Sequence, residues 1–195
     1  NTAIWGSGLI SNYLPDNFRS SKIYAVRGPM TRNQLLQRGI NCPEIFGDPA
    51  LLLPLFYNPK QFQKKYEIGI IPHYIDKNCA VLEKYKSNHS IKILDIQHQG
   101  KWTEFIDQIL QCEIIVSSSL HGIIIADTYL IPNLWVEFSN NVVGNGFKFK
   151  DYFLSVNKKI VEPLKINDYI DPELLKKQIN NWEMPIINTD KLLSS

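Results

Sequence analysis

Residues 113–126 read Glu113-Ile114-Ile115-Val116-Ser117-Ser118-Ser119-Leu120-His121-Gly122-Ile123-Ile124-Ile125-Ala126. A short β-branched run leads into three serines, and a second apolar run follows the serines without an intervening proline. This order predicts a buried strand, a tight turn and a buried helix that begins near Ser119. A strand that passes directly into a helix is the repeating unit of a parallel sheet covered by helices, so this stretch predicts an α/β fold.

The same alternation of strand and helix extends from this stretch in both directions. Further strands are predicted at residues 4–5, 22–26, 45–46, 66–71, 91–96 and 133–137, and helices after Pro29, over 102–110 and over 171–182. The helix after Pro29 is expected to turn Met30, Leu35 and Leu36 inward and to end at Gly39. The polar stretch from Leu55 to Lys65 reads as a hinge between the end of one Rossmann-like unit and a second, more complete unit.

The composition excludes several classes of protein. The formal net charge of +2 comes from scattered basic residues, which argues against a nucleic-acid-binding protein. No apolar run approaches the roughly 20 residues that a transmembrane helix needs. Three widely spaced cysteines favour neither a disulfide framework nor a zinc cluster, and the histidines show no metal-ligand spacing. We therefore expect a reducing, cytoplasmic setting and no bound metal or cofactor.

The turn Ser117–Gly122 is the strongest candidate for a functional site. A helix N-terminus offers N–H groups and about half a positive charge to an anion. Ser118 or Ser119 is expected to cap the helix, Gly122 permits close approach of a ligand or another backbone, and His121 in the first turn is placed for acid–base chemistry. The alternative is an ordinary serine cap followed by a hydrogen-bonded surface histidine.

Five more residues lie at predicted strand ends or on flanking loops, where ligands of open α/β sheets bind. Arg27 and Arg32 carry guanidinium forks suited to carboxylate or phosphate, although a surface ion pair is the simpler interpretation for Arg32. Asp48 serves either as a proton donor or as a helix cap. His73 follows a strand directly, and Lys148 follows a glycine- and asparagine-rich loop.

The order of these motifs resembles the polysaccharide pyruvyl transferase family. The segments that carry the resemblance are Trp5–Gly8, Val26–Arg32, Gly47–Ala50, Pro72–Tyr74, Ser118–Gly122 and Phe147–Tyr152. The resemblance extends over nearly the whole chain. One position departs from the pattern, because some relatives carry arginine directly before Leu-His-Gly where this chain has Ser119.

The resemblance implies a GT-B-like fold with two Rossmann-like domains. Residues 1–62 would be the tail of a partial N-terminal domain and residues 63–195 a complete C-terminal domain that binds the donor. The implied reaction moves the pyruvyl group of phosphoenolpyruvate, as donor substrate, onto a sugar of a cell-surface or exo-polysaccharide. The implied acceptor is a saccharide or lipid-linked oligosaccharide, met in the cytoplasm or at the inner face of the membrane, and a homo-oligomer is compatible with this scheme.

The resemblance also implies roles for individual residues. His121 and Asp48 would be catalytic, and the substrate would be bound by Arg27, Arg32, His73, Ser118, Ser119, Leu120, Gly122 and Lys148. Two alternatives stay open at this point: a nucleotide-sugar glycosyltransferase of the GT-B type, and a noncatalytic fragment that needs a partner domain.

Overall fold

The computed structural model describes residues 2–19, 22–59 and 62–195. The chain divides into two compact units, which we call the first and second unit. The first unit comprises Asn1–Leu52, Val143–Val161 and Pro185–Ser195, and the second comprises Leu53–Val142 and Glu162–Met184. The sequence suggested one boundary near residue 62, whereas the C-terminal part of the chain contributes to both compact units. The assignment of evolutionary domains stays a prediction.

The described residues form seven strands and eight helices. The strands are β1 (Ala3–Trp5), β2 (Lys22–Ala25), β3 (Tyr66–Ile71), β4 (Ile91–Ile93), β5 (Cys112–Ser117), β6 (Asn133–Glu137) and β7 (Leu164–Lys165). The helices are α1 (Pro29–Gln37), α2 (Leu53–Phe56), α3 (Ala80–Glu83), α4 (Trp102–Leu110), α5 (Leu120–Thr128), α6 (Phe147–Ser155), α7 (Pro172–Ile179) and α8 (Asp190–Ser194), with a 3₁₀ turn at Pro49–Leu52. None of these helices is both long and apolar enough to cross a membrane.

The first unit holds a small parallel sheet. β1 pairs with β2, and Val26 adds a single parallel bridge to Phe46, so the predicted strand at 45–46 is reduced to one residue. The expected end of α1 is confirmed, because Gly39 adopts a left-handed φ of 70°. Leu35 is buried as predicted, but the inward placement of Leu36 is wrong, since that side chain is 41% exposed. Successive helical residues lie about 100° apart around the helix axis, so Leu36 points away from the core when its neighbour Leu35 points into it.

The second unit holds a five-stranded sheet in the order β4-β3-β5-β6-β7, with every neighbouring pair parallel. In order along the chain this is 2-1-3-4-5, one of the two common arrangements of doubly wound folds. The chain runs from β3 to β4 on one side and then crosses to β5 on the other. The carboxyl ends of β3 and β5 therefore flank the topological switch point, where ligands bind in such sheets.

Local signals explain two element boundaries in the second unit. The predicted strand at 91–96 ends at Ile93, because the Asp95 side chain accepts the Gln97 N–H at 2.9 Å and turns the chain. Helix α7 begins as predicted, with the Asp171 side chain accepting the Glu173 N–H at 2.8 Å. The α/β class with parallel sheets is thus confirmed, while the GT-B arrangement and the completeness of either domain stay predictions.

Candidate active site

Helix α5 is the central helix of the candidate site. Eight of its nine residues are buried, and only His121, in the first turn, is exposed. A helix buried on all sides needs apolar residues on all sides, which the run Ile123–Ala126 supplies. The single polar, exposed position at its N-terminus is therefore not required by packing.

The N-terminus of α5 is built differently from the predicted serine cap. Ser119 occupies the N-cap position in extended conformation, but its side chain makes no capping hydrogen bond. Ser117 instead closes the turn on itself: its hydroxyl accepts the Ser119 N–H at 3.0 Å and lies 2.8 Å from the Ile71 carbonyl. The N–H groups of a first helical turn have no acceptor inside the helix. The turn thus directs backbone N–H groups and the helix dipole toward the carboxyl edge of the sheet.

Two of the predicted site residues meet directly at the switch point. The pairing of β3 with β5 ends at Ile71 and Ser117, so His73 and Ser118 both lie just beyond the paired residues. The His73 N–H donates to the Ser118 hydroxyl at 2.8 Å. The His73 side chain is largely buried and its ring centroid lies 4.3 Å from that of Tyr74. The structure therefore brings His73 to the strand-to-helix turn that carries His121.

Asp76 lies behind this turn and was not predicted as a site residue. Its side chain is fully buried, and one carboxylate oxygen, Oδ2, accepts the Ser118 hydroxyl at 2.9 Å. The other oxygen, Oδ1, accepts the Ser139 hydroxyl, which follows β6. Asp76 thus joins the loops at the carboxyl ends of three neighbouring strands. A lone aspartate three residues after His73 carries no local pattern that reveals this burial.

Gly122 has a packing role in this turn. A Cβ atom at this position would lie 2.3 Å from the Ser117 hydroxyl oxygen and 3.0 Å from the Ile71 Cγ2 atom. The absence of a side chain lets α5 sit directly against the ends of β3 and β5. The predicted close approach is therefore made to the protein's own turn.

In the first unit, Arg27 follows β2 and its side chain is 7% exposed. Its Nη2 atom lies 3.2 Å from Asp151 Oδ2 and also donates to the Leu9 carbonyl. Burial lowers the pKa of the guanidinium, and the nearby Asp151 and Asp48 carboxylates oppose that shift. The Nε atom is buried, and no described residue accepts its hydrogen. Arg27 thus holds an internal carboxylate, and its contact with substrate stays a prediction.

The partner of Arg27 also caps a helix. Asp151, which is fully buried on α6, accepts the N–H groups of Met30 and Thr31 at 2.9 and 3.0 Å through Oδ1. Its Oδ2 atom accepts the Thr31 hydroxyl at 2.7 Å. A Cβ atom at Gly28 would lie 2.0 Å from the Asp151 carbonyl oxygen, so this contact requires glycine. The anion-receptive N-terminus of α1 is therefore occupied by a side chain of the same unit.

The other predicted residues of the first unit also have structural contacts. Asp48 accepts the Ala50 N–H at 3.0 Å, which is the cap anticipated as its simpler role. Arg32 donates to the Cys42 carbonyl at 3.1 Å and lies 4.0 Å from Glu44. Lys148 places its ammonium 5.6 Å from the centre of the Phe149 ring. Their roles toward substrate stay predictions.

Over residues 2–19, 22–59 and 62–195, no group of three or more histidine, cysteine or acidic side chains is arranged to hold a metal ion.

Comparison with known proteins decides the family. The family model described as polysaccharide pyruvyl transferase matches residues 4–140, well over half of the chain. The chain belongs to the polysaccharide pyruvyl transferase family. The resemblance stated from the motifs is thereby confirmed.

Two relatives of this pyruvyl transferase family member are curated proteins. It is 37% identical to the uncharacterized protein L143 of Acanthamoeba polyphaga mimivirus over 158 residues, which are 78% of this chain and 54% of that protein. It is 29% identical to the succinoglycan biosynthesis protein ExoV of Rhizobium meliloti (strain 1021) over 150 residues, which are 75% of this chain and 45% of ExoV. The chain thus spans about half the length of these relatives. No solved structure matches it.

The region shared with the pyruvyl transferase family covers most of the candidate site. It includes Asp76, Ser139 and every predicted site residue except Lys148. Asp151, which holds Arg27, also lies beyond it. The matched region therefore contains the whole arrangement at the carboxyl ends of β3, β5 and β6.

Proposed function

We propose that this pyruvyl transferase family member moves the pyruvyl group of phosphoenolpyruvate onto a sugar of a cell-surface or exo-polysaccharide, forming a pyruvate ketal. The observation that carries the proposal is the N-terminus of α5 at the switch point of the sheet, where the N-cap residue Ser119 makes no side-chain capping hydrogen bond and His121 is the exposed residue of the helix. Membership of the family and the likeness to a succinoglycan biosynthesis protein support the same reaction class.

Phosphoenolpyruvate suits this turn because the molecule carries two anionic groups. Backbone N–H groups at a helix N-terminus bind phosphate or carboxylate, and the helix dipole adds to the attraction. Two serine hydroxyls of this turn are committed to the fold: Ser117 closes the turn, and Ser118 bonds to Asp76 and His73. The turn therefore presents a preorganised set of N–H groups, which need no rearrangement to receive an anion.

The reaction requires two proton transfers. Two sugar hydroxyl oxygens form bonds to C2 of phosphoenolpyruvate, and the C2–O bond to phosphate breaks. Of the two hydroxyl protons, one ends on the methylene carbon, which becomes the methyl group, and the other leaves with inorganic phosphate. A positioned acid–base group contributes about 10²–10⁴-fold to such steps. His121 is the exposed titratable side chain next to the proposed anion site, so we assign it that role.

The remaining assignments belong to the same proposal. His73 would line the donor site, a role supported by the hydrogen bond from its backbone N–H to Ser118. Asp48 as a proton donor, and Arg27, Arg32 and Lys148 as anion ligands, would act in addition to the internal contacts that they already make. We propose a saccharide or lipid-linked acceptor that is met on the cytoplasmic side of the membrane, where phosphoenolpyruvate is available.

Phosphoenolpyruvate is expected to raise the thermal unfolding temperature of the chain in a saturable manner. A ligand that binds only the native state stabilises it by RT ln(1 + [L]/Kd), or about 2.7 kcal/mol at 100 times Kd. The measurement is a thermal-shift titration with phosphoenolpyruvate, with uridine and guanosine diphosphates in parallel. Inorganic phosphate serves as the control for nonspecific anion binding.

Each outcome of this titration has a distinct meaning. A shift with phosphoenolpyruvate that exceeds the shift with inorganic phosphate supports the proposed donor. A selective shift with a nucleoside diphosphate contradicts it and favours a nucleotide-sugar glycosyltransferase. No shift with any of these ligands contradicts a donor site in this chain and favours a noncatalytic fragment.

A further inference from the structure

We infer that Asp76 is a positioning residue of the proposed active site, where its carboxylate sets the spacing between His73 and the N-terminus of α5. The inference rests on the proposed function, in which the α5 turn receives the donor. Asp76 is fully buried, so it does not contact substrate itself. It acts through Ser118, whose hydroxyl it accepts at 2.9 Å.

The first observation is where the contacts of Asp76 lie. It belongs to the loop after β3, Ser118 follows β5 and Ser139 follows β6, and these three strands are neighbours in the sheet. The pairing of β3 with β5 ends at Ile71 and Ser117, so it does not hold the residues that follow them. Beyond the paired residues, the Asp76 carboxylate connects the three loops that form the carboxyl edge.

The second observation is the direction of the hydrogen bonds. The Ser118 hydroxyl accepts the His73 N–H at 2.8 Å and therefore turns its own hydrogen toward Asp76 Oδ2. Ser139 repeats the pattern: it accepts the Asn141 N–H at 3.1 Å and donates to Asp76 Oδ1. Two relays thus run from a backbone N–H through a serine to one carboxylate. Each relay fixes a backbone position by way of Asp76.

The third observation is the chemistry of this environment. The described side chains that donate to the carboxylate, Ser118, Ser139 and the Cys79 thiol at 4.0 Å, are all neutral. A buried carboxylate without a cation loses much of its hydration free energy, so stability alone does not favour it at this position. What it provides is two acceptor oxygens for two serine donors. An asparagine has one acceptor oxygen, so one serine would lose the acceptor of its hydrogen.

The test compares Asp76→Asn with a matched control in the same unit. Asp127 is also fully buried, and it accepts Asn133 Nδ2 at 2.6 Å and Trp182 Nε1 at 3.1 Å, away from the turn. Asp127→Asn therefore makes the same chemical change at a structural site. Three measurements are made on both variants: urea unfolding, the thermal shift induced by phosphoenolpyruvate (PEP), and the kcat and KM for phosphate release.

Asp76→Asn is expected to lower kcat by about 100-fold, because a small displacement of reacting groups has an effect of that size. The KM for phosphoenolpyruvate should change much less, since the α5 N–H groups remain. Asp127→Asn should keep the wild-type kcat even if it destabilises the fold equally. Ser118→Ala should reproduce the kcat loss, and the double variant Asp76→Asn/Ser118→Ala should lose no more than either single variant, because both act through one relay.

The outcomes separate this inference from the proposed function. If the wild type neither binds phosphoenolpyruvate nor releases phosphate, the proposed function fails and the inference fails with it. If the wild type is active and Asp76→Asn keeps its kcat, or loses no more than Asp127→Asn, only the inference is overturned. Should Asp76→Asn not fold, Ser118→Ala decides: a wild-type kcat in that variant overturns the relay.

Discussion

Replacing His121 with alanine is expected to lower the rate of phosphate release from phosphoenolpyruvate by about 10²–10⁴-fold, the contribution of one positioned acid–base group. The fold should be unaffected, since His121 is the exposed residue of an otherwise buried helix and adds nothing to its core. The donor should still bind, because the first-turn N–H groups belong to the backbone. The variant should therefore lose turnover and keep its PEP-induced thermal shift.

The measurement is phosphate release with an acceptor that supports turnover of the wild type, followed by thermal shift with phosphoenolpyruvate. His89→Ala is the matched control, because His89 is an exposed histidine of the same unit that lies outside the turn. His89→Ala should keep wild-type values in both assays. Near-normal turnover in His121→Ala would remove His121 from the chemistry.

Replacing Asp151 with alanine is expected to reduce the free energy of unfolding by about 3–5 kcal/mol, the range measured when one partner of a buried ion pair is removed. Arg27, with a side chain that is 7% exposed, would keep its charge and lose the carboxylate that lies 3.2 Å away. Helix α1 would lose the acceptor of the Met30 and Thr31 N–H groups at the same time. A loss of this size is a large part of the roughly 5–15 kcal/mol that stabilises a typical domain.

Urea unfolding of two further variants tests the reason for this loss. Arg27→Met/Asp151→Asn removes both charges and keeps an oxygen for the α1 N–H groups, so it should recover most of the lost stability. Asp16→Ala breaks the exposed ion pair with Arg38, whose atoms lie 2.6 Å apart, and should have little effect. If Asp151→Ala unfolded at the wild-type urea concentration, Arg27 would not depend on Asp151 for its burial.

Much of the second unit could be predicted because its signals are local. The spacing of apolar residues gave the bounds of α4, Trp102–Leu110, and of β6, Asn133–Glu137, as the structure has them. The stretch around Ser117–Gly122 predicted the turn between β5 and α5. Such patterns reflect a period of 3.6 or 2 residues, which a sequence displays directly.

The buried carboxylates could not be predicted, because their partners are distant in the sequence. Asp76 bonds to Ser118 and Ser139, which lie 42 and 63 residues away, and Asp151 bonds to Thr31, 120 residues away. Only the fold brings these residues together. Ser119 takes the N-cap position as predicted, but its side chain makes no capping hydrogen bond. The hydroxyl of Ser118, the other predicted cap, bonds to Asp76 and to the His73 N–H.

The motifs predicted the family, whereas the details of the site depend on chemistry that motifs do not display. Arg27 was expected to bind substrate, and its position after β2 is as predicted, but its nearest anion is Asp151. Gly122 was expected to allow close approach, and the atoms that approach it belong to Ser117 and Ile71. The family motif thus contains residues that shape the turn as well as residues proposed to act on the donor.

The central claim is that the N-terminus of α5 receives phosphoenolpyruvate, and the amide resonances of Leu120, His121 and Gly122 test it most directly. In a nuclear magnetic resonance titration of the ¹⁵N-labelled chain, phosphoenolpyruvate should shift these three resonances saturably and together with the His73 amide. Uridine diphosphate and inorganic phosphate should shift them much less at equal concentration. If phosphoenolpyruvate saturates its binding while these resonances stay in place, the donor binds elsewhere and the claim is contradicted.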